Sequence, residues 1–263
     1  MNTKAKVVIL AGGLGTRLRE ETDIKPKPMV SVGGMPILWH LMKFYSNFGL
    51  NDFIICTGYK GEVIRDYFKN FHVNTLDFTI DLTSDNPTIT YHQEHKEKWK
   101  VTVVDTGLET PTGGRINKIK KFIDSDYFYC TYGDGLSNVD ILKLTEFHEN
   151  QKTLASMTVV RPLSRFGVVD KNSKGIVESF REKPQGDGWV NAGFFIFKKE
   201  IFTYLNDNSV LEEDPLKNLA NINELSAFEH NGFWQPMDTH REFLLLNEMW
   251  ESKNAHWKNW NDE

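Results

Sequence analysis

From Lys6 to Ala11 the chain is apolar almost without a break, and a glycine loop follows at once. A strand buried on both faces reads this way, because both rows of its side chains meet apolar neighbours. Pro36 suits a first helical turn. Ile37, His40, Leu41, Phe44, Tyr45 and Phe48 then recur at helical spacing, and Gly49 is a natural stop. The pattern continues with a strand over 52–57, a helix over 60–70, short strands near 78–81, 88–92 and 101–104, and a helix over 113–123. A strand over 127–132 then leads into Gly133-Asp134-Gly135. Such alternation predicts a mostly parallel sheet with helices on both faces. Beyond residue 150 the chain is richer in strands, at 155–160, 168–170, 176–180 and 194–197, and it finishes with a helix over 239–253. No linker divides it. The expectation is one α/β domain spanning 1–263, Rossmann-like, with a mixed but mostly parallel sheet. Residues 1–140 form one half, and 141–263 form a strand-rich second half with the last helix.

Composition narrows the class. With 263 residues, 40% hydrophobic and 25% charged, the chain can bury about three-quarters of its unfolded surface and needs no staples. Disorder, collagen-like repeats and a disulfide-held miniprotein are excluded. Thirty-one basic against 36 acidic residues give a net charge of −5, which argues against nucleic acid as a partner. Cys56 and Cys130 lie inside strand-like apolar runs and read as reduced core thiols of a cytoplasmic protein. No apolar run approaches the roughly 18 residues of a membrane span, so no membrane partner is expected. The first ten residues read as a strand rather than a leader, because their apolar stretch is short and runs directly into the glycine loop.

That loop, Leu10-Ala11-Gly12-Gly13-Leu14-Gly15-Thr16-Arg17-Leu18, carries the first chemical signal. Glycines let backbone approach a ligand closely, and successive N–H groups can cradle phosphate oxygens. It lacks the ending of a Walker A loop, and Leu18 stands where a dinucleotide fingerprint would place its third glycine. Read alone, it could be a tight strand-exit turn. Arg17 adds a planar donor fork suited to phosphate. Ten residues on, Lys25-Pro26-Lys27-Pro28-Met29 is stiffened by its prolines and can hold a lysine in a fixed place. Alone it could be a solvated basic loop; together with Arg17 it reads as a two-cation clamp on a polyphosphate. Asp134 follows an apolar strand, where an open α/β sheet places its ligands, and is otherwise a turn aspartate. Asp238 precedes the last helix, either as its N-cap or beside a capping box made by Thr239 and Glu242. His92-Gln-Glu-His95 lacks zinc-binding spacing and reads as an ordinary polar stretch. Trp250, Trp257 and Trp260 read as packing at a surface or a subunit contact, and so suggest a homo-oligomer.

The segments Gly12-Gly13-x-Gly15-Thr16-Arg17 and Pro26-Lys27-Pro28 resemble the sugar-phosphate nucleotidyltransferases. Further matches run in the family's order from Trp39-His40 through Thr57-Gly58-Tyr59-Lys60-Gly61, Val104-Asp105-Thr106-Gly107 and Thr112-Gly113-Gly114-Arg115. They continue with Tyr132-Gly133-Asp134-Gly135, Arg165-Phe166-Gly167, Glu182-Lys183-Pro184, Asn191-Ala-Gly-Phe-Phe195 and Phe233 to Thr239. Arg19-Glu20-Glu21-Thr22 and the last of these segments are most similar to the cytidylyl branch. The resemblance implies a glycosyltransferase-A-like nucleotidyltransferase fold and a reaction of CTP with α-D-glucose 1-phosphate. It implies Arg17, Lys27 and Asp134 as catalytic residues. Leu10, Ala11, Gly12, Gly13, Gly15, Thr16, Arg17, Lys27, Thr112, Gly113, Gly114 and Gly133 would hold the nucleotide, and Arg115 would touch the nucleotide or face solvent. Glu182, Lys183 and Asn191 would hold the sugar phosphate. Asp134 and Asp238 would bind Mg²⁺, a hard cation that takes one or two carboxylates plus phosphate oxygens.

Two other readings stay open on the residues alone. One is the same transfer with another phosphate acceptor or with UTP or dTTP. The other is a non-catalytic nucleotide-binding regulatory subunit on the same fold. A nicotinamide enzyme fails at Leu18 and lacks a convincing acid after the second strand.

Overall fold

The computed structural model describes residues 5–94, 96–162, 166–182, 185–186 and 188–261. Seven strands form the central sheet: β1 (Val7–Ala11), β2 (Asp52–Thr57), β3 (Lys100–Asp105), β4 (Tyr127–Tyr132), β5 (Ala155–Val160), β6 (Val190–Lys198) and β7 (Leu225–Glu229). Their spatial order is β7-β5-β6-β4-β1-β2-β3. Strand β6 runs antiparallel to both neighbours, and every other pairing is parallel.

Because side chains alternate across a strand, β1 feeds two cores. Val7, Ile9 and Ala11 face one side with Leu41, Phe44 and Tyr45 of α1 (Ile37–Ser46). Val8 and Leu10 face the other with Cys56, Cys130 and Phe195, and with Ile116 of the helix Thr112–Lys118. Each fully buried Ile or Phe contributes about 1.5–3 kcal/mol, so the two layers fix the sheet from both sides. Helices therefore cover both faces, as the alternation predicts.

The chain moves from β1 to β2 and β3 on one side, then crosses to β4 on the other side of β1. The crevice at the carboxyl ends of β1 and β4 is thus a topological switch point, where such sheets bind ligands.

Some elements differ from the pattern-based reading. The predicted 113–123 helix spans only Thr112–Lys118 and ends in a 3-10 turn over Lys120–Phe122. The strands Val168–Lys171 and Val177–Arg181 pair with each other as an exposed hairpin and stay off the main sheet. The strands Phe78–Asp81 and Thr88–Tyr91 do the same. The helices Ile141–Gln151 and Asp214–Asn221 and the edge strand β7 lie outside the elements the pattern predicts.

The tryptophan-rich tail packs inward. Trp257 is fully buried, stacked near Trp250 and Phe233. Its Nε1–H donates to His40 Nδ1 at 3.3 Å, while His40 Nε2 bonds Val32 O at 2.8 Å. Trp250 and Trp260 also ring His40. Trp257 is therefore spent inside its own chain, which corrects the reading of this residue as a subunit contact. No helix among the described residues is long and apolar enough to cross a membrane.

Candidate active site

A cleft of about 700 Å³ opens at the switch point, within the range of small-molecule sites. The glycine loop forms its floor: Leu10, Ala11, Gly12, Gly13, Gly15, Thr16 and Arg17 all line it. Gly15 has φ +63°, and a Cβ there would stand 2.9 Å from Thr22 Cγ2. Only glycine takes this turn without strain. Thr22 fastens it by donating its hydroxyl to Gly15 O and Leu18 O. Gly133 meets the loop from β4; its N–H donates to Leu10 O, and a Cβ would come within 2.9 Å of that oxygen.

Four charged groups from distant parts of the chain meet beside the loop. Lys27 Nζ lies 2.6 Å from Asp134 Oδ2 and 2.6 Å from Asp238 Oδ1. Arg17 Nη1 reaches Asp238 Oδ2 at 3.2 Å from an exposed position. A short antiparallel pairing of Gly135–Ser137 with Trp234–Pro236 brings the two aspartates together, and Met237 N–H donates to Asp134 O. Burial works against the Lys27 charge, but Asp134 and then Asp238 raise its pKa above the ordinary lysine value. The ammonium therefore stays charged. The capping box falls on Thr239 and Glu242. Glu242 Oε2 also accepts the Asp238 N–H at 2.7 Å, so the Asp238 carboxylate is not used as the cap.

Arg115 does not reach into solvent; it lines the back of the cleft. It is buried, and Nη1 donates to Thr57 O, Thr106 Oγ1 and Gly107 O while Nη2 donates to Gly12 O and Leu108 O. Five acceptors from three loops thus share one guanidinium behind the glycine floor. A Cβ on Gly12 would sit 2.1 Å from Arg115 Nη1, so a larger residue there would displace this guanidinium.

Thr112 lines the cleft; Gly113 and Gly114 are buried and do not. A Cβ on Gly113 would stand 2.8 Å from Ser209 O, and one on Gly114 would stand 2.2 Å from Asp207 O. These two glycines give passage to the loop over 206–211.

On the far wall, Asn191 and Tyr132 line the cleft. Asn191 Oδ1 accepts from Gly193 N–H at 2.8 Å, and its Nδ2–H donates to Tyr132 Oη at 3.3 Å. Glu182 is exposed and is not among the lining residues. Lys183 and Arg165 lie outside the described residues, as does His95. Sequence reasoning missed Tyr132 and Trp234 as lining residues. Both sit inside quoted motifs, but nothing local shows which way their rings turn.

The chain matches the nucleotidyl transferase family model over residues 6–252. It is 48% identical over 258 residues to glucose-1-phosphate cytidylyltransferase of Salmonella typhimurium, covering 97% of this chain and 99% of that one. Among solved structures, HddC from Yersinia pseudotuberculosis superposes with a TM-score of 0.65 at 27% identity, over 94% of this chain and 99% of its own. A UDP-glucose pyrophosphorylase, at 17% identity and a TM-score of 0.68 over 95% and 99% of the two chains, shares the fold. Near-half identity along almost the full length of two chains, with the glycine floor and its charged cluster set at the sheet's switch point, makes this protein a member of the nucleotidyl transferase family.

Proposed function

We propose that the protein transfers the cytidylyl group of CTP to α-D-glucose 1-phosphate, releasing pyrophosphate and forming CDP-glucose. The observation that carries this reading is the convergence of Lys27, Asp134 and Asp238 beside a glycine-floored cleft. The 48% identity to the Salmonella cytidylyltransferase points to the substrates.

An oxygen of the sugar phosphate attacks the α-phosphorus and forms the new P–O bond. The bond from that phosphorus to the bridging oxygen breaks, and its electron pair leaves with pyrophosphate. A phosphate monoester has its second pKa near 6, so the nucleophile is already ionised and no strong general base is needed. Positioning and charge stabilisation carry such transfers. Arg17 and Lys27 bind the triphosphate; the backbone of residues 10–16 and Gly133 cradles it, and Thr112 flanks the base side. Asn191, with Glu182, holds the sugar. In this reading the nucleotide occupies the 1–140 side and the sugar phosphate the 141–263 side.

Asp134 and Asp238 would hold Mg²⁺. The donors are hard carboxylate oxygens held convergent by one ammonium. Among the described residues no third acid, His or Cys joins them, which suits a cation that completes its shell with phosphate and water. When bound, the ion polarises the phosphate and neutralises charge on the leaving group.

The two free thiols fit a cytoplasmic setting, and the exposed apolar positions of the 78–91 hairpin are the faces we assign to self-association.

The test is pyrophosphate release with CTP, UTP, dTTP and ATP crossed against glucose 1-phosphate and other phosphates. Selective activity with CTP and glucose 1-phosphate is expected. Asp134→Asn should lower turnover about a hundredfold or more; near-normal turnover at saturating Mg²⁺ would remove Asp134 from the metal site.

A further inference from the structure

Glu212 belongs to no motif and stands just before the helix Asp214–Asn221, on an exposed surface. Its carboxylate nonetheless joins two walls of the cleft. One oxygen accepts the Tyr132 hydroxyl, and the other accepts the Thr112 hydroxyl at 2.7 Å. Both hydroxyls already accept a bond. Thr112 Oγ1 takes the Leu211 N–H at 2.9 Å, and Tyr132 Oη takes the Asn191 amide N–H at 3.3 Å. Asn191 in turn is anchored through Oδ1 to Gly193 N–H. Every donor direction in this chain is thereby fixed, and both ends of it run into Glu212. Burial, together with the Glu212 carboxylate, pushes the Tyr132 phenol well above its ordinary value, so it keeps its proton and donates. The ring itself is held against Gly193, where a Cβ would meet Tyr132 Cδ2 at 2.3 Å.

We propose that Glu212 is a positioning residue for the sugar phosphate: it locks the Tyr132 hydroxyl as a donor and so aims the Asn191 amide at a ligand hydroxyl. The locked chain leaves Asn191 with one N–H for that ligand, while the Tyr132 and Thr112 protons are spent on the carboxylate. A glutamine at 212 breaks this pattern. It offers one acceptor and one donor, and the donor must point at a hydroxyl that already accepts a bond.

The inference rests on the cleft being the cytidylyl-transfer site, so wild-type activity is measured alongside. Glu212→Gln should raise KM for glucose 1-phosphate about tenfold, the scale of one lost charged hydrogen bond. KM for CTP should change less, and because Glu212 is exposed, melting should move little. Tyr132→Phe removes the middle link and should show the same sugar-side loss. Adding Glu212→Gln to it should cost little more in KM for the sugar phosphate, because both act through one chain. An unchanged KM in Glu212→Gln, or full additivity in the double variant, would overturn the proposal while wild-type activity stands. A wild type inactive with every nucleotide and phosphate pair would instead sink the underlying reading and this inference with it.

Discussion

Lowering the pH from 7 to 4 brings a proton to His40, which sits with no exposed surface among four tryptophans. Its Nε2–H donates to Val32 O, and Nδ1 accepts from Trp257. A proton on Nδ1 would set one N–H against another. Burial depresses the ring's pKa from the ordinary 6.5 to about 4, against a smaller raising effect of the Val32 bond. Between those values the unfolded chain binds a proton that the folded chain refuses. Stability is therefore complete above about pH 6.5 and falls as the pH drops toward 4. A gap of roughly 2.5 pH units at 1.36 kcal/mol each is worth about 3 kcal/mol. His148 is also depressed to about 4 by burial and by Lys198, so the assay has to isolate His40. Urea unfolding at half-unit steps from pH 7 to 4 would compare the wild type with His40→Gln, which keeps a donor and an acceptor but cannot titrate. The two stability curves should converge by about 3 kcal/mol as the pH falls, whatever the variant costs at neutral pH. Parallel curves would refute the assignment of acid sensitivity to this ring.

Lys27→Met leaves two carboxylates facing each other without the ammonium 2.6 Å from each. Steady-state turnover should fall by about 10²–10³, as for loss of a main electrostatic donor; a stability loss with normal turnover would make Lys27 only a brace. Gly114→Ala drives a Cβ to within 2.2 Å of Asp207 O. Overpacking of this kind costs about 2 kcal/mol, read as a lower melting temperature, and an unchanged melt would mean that the 206–211 loop yields freely. Cys56 and Cys130 are buried, and burial pushes the Cys56 thiol up to about 12. Neither should react with a thiol reagent at pH 8 until urea unfolds the chain; quick labelling of native protein would count against this packing.

What could be read in advance depended on whether the information was local. The 127–132 and 155–160 strands are found with the boundaries the sequence pattern predicts; Asp126 and Gly133 bound the first, and Arg161 ends the second. The helix Ile141–Gln151 leaves only a weak apolar pattern because its buried stripe includes Thr145 and His148 beside Ile141 and Leu144. Arg17, Lys27, Asp134 and Asp238 each stand out as residues. Their meeting depends on pairing two three-residue strands, too short to leave a periodic signal. Arg115 shows the same limit from the other side. A guanidinium turned inward onto five acceptors has the same sequence signature as one facing water. Glu212, lying outside every motif, is invisible until the fold brings it to Thr112 and Tyr132.

The tie between Lys27 and Asp238 spans 211 positions, and the one between His40 and Trp257 spans 217. Closing loops of that length costs entropy before any contact repays it, and non-local contacts of this kind slow folding. The charged cluster is thus among the last features a folding chain can complete. A chain with its β1, β2 and β4 layers already collapsed would still hold Lys27 beside one carboxylate instead of two. With the role proposed for this cluster, catalytic competence marks the end of folding, and partly ordered forms of this protein would be silent rather than weakly active.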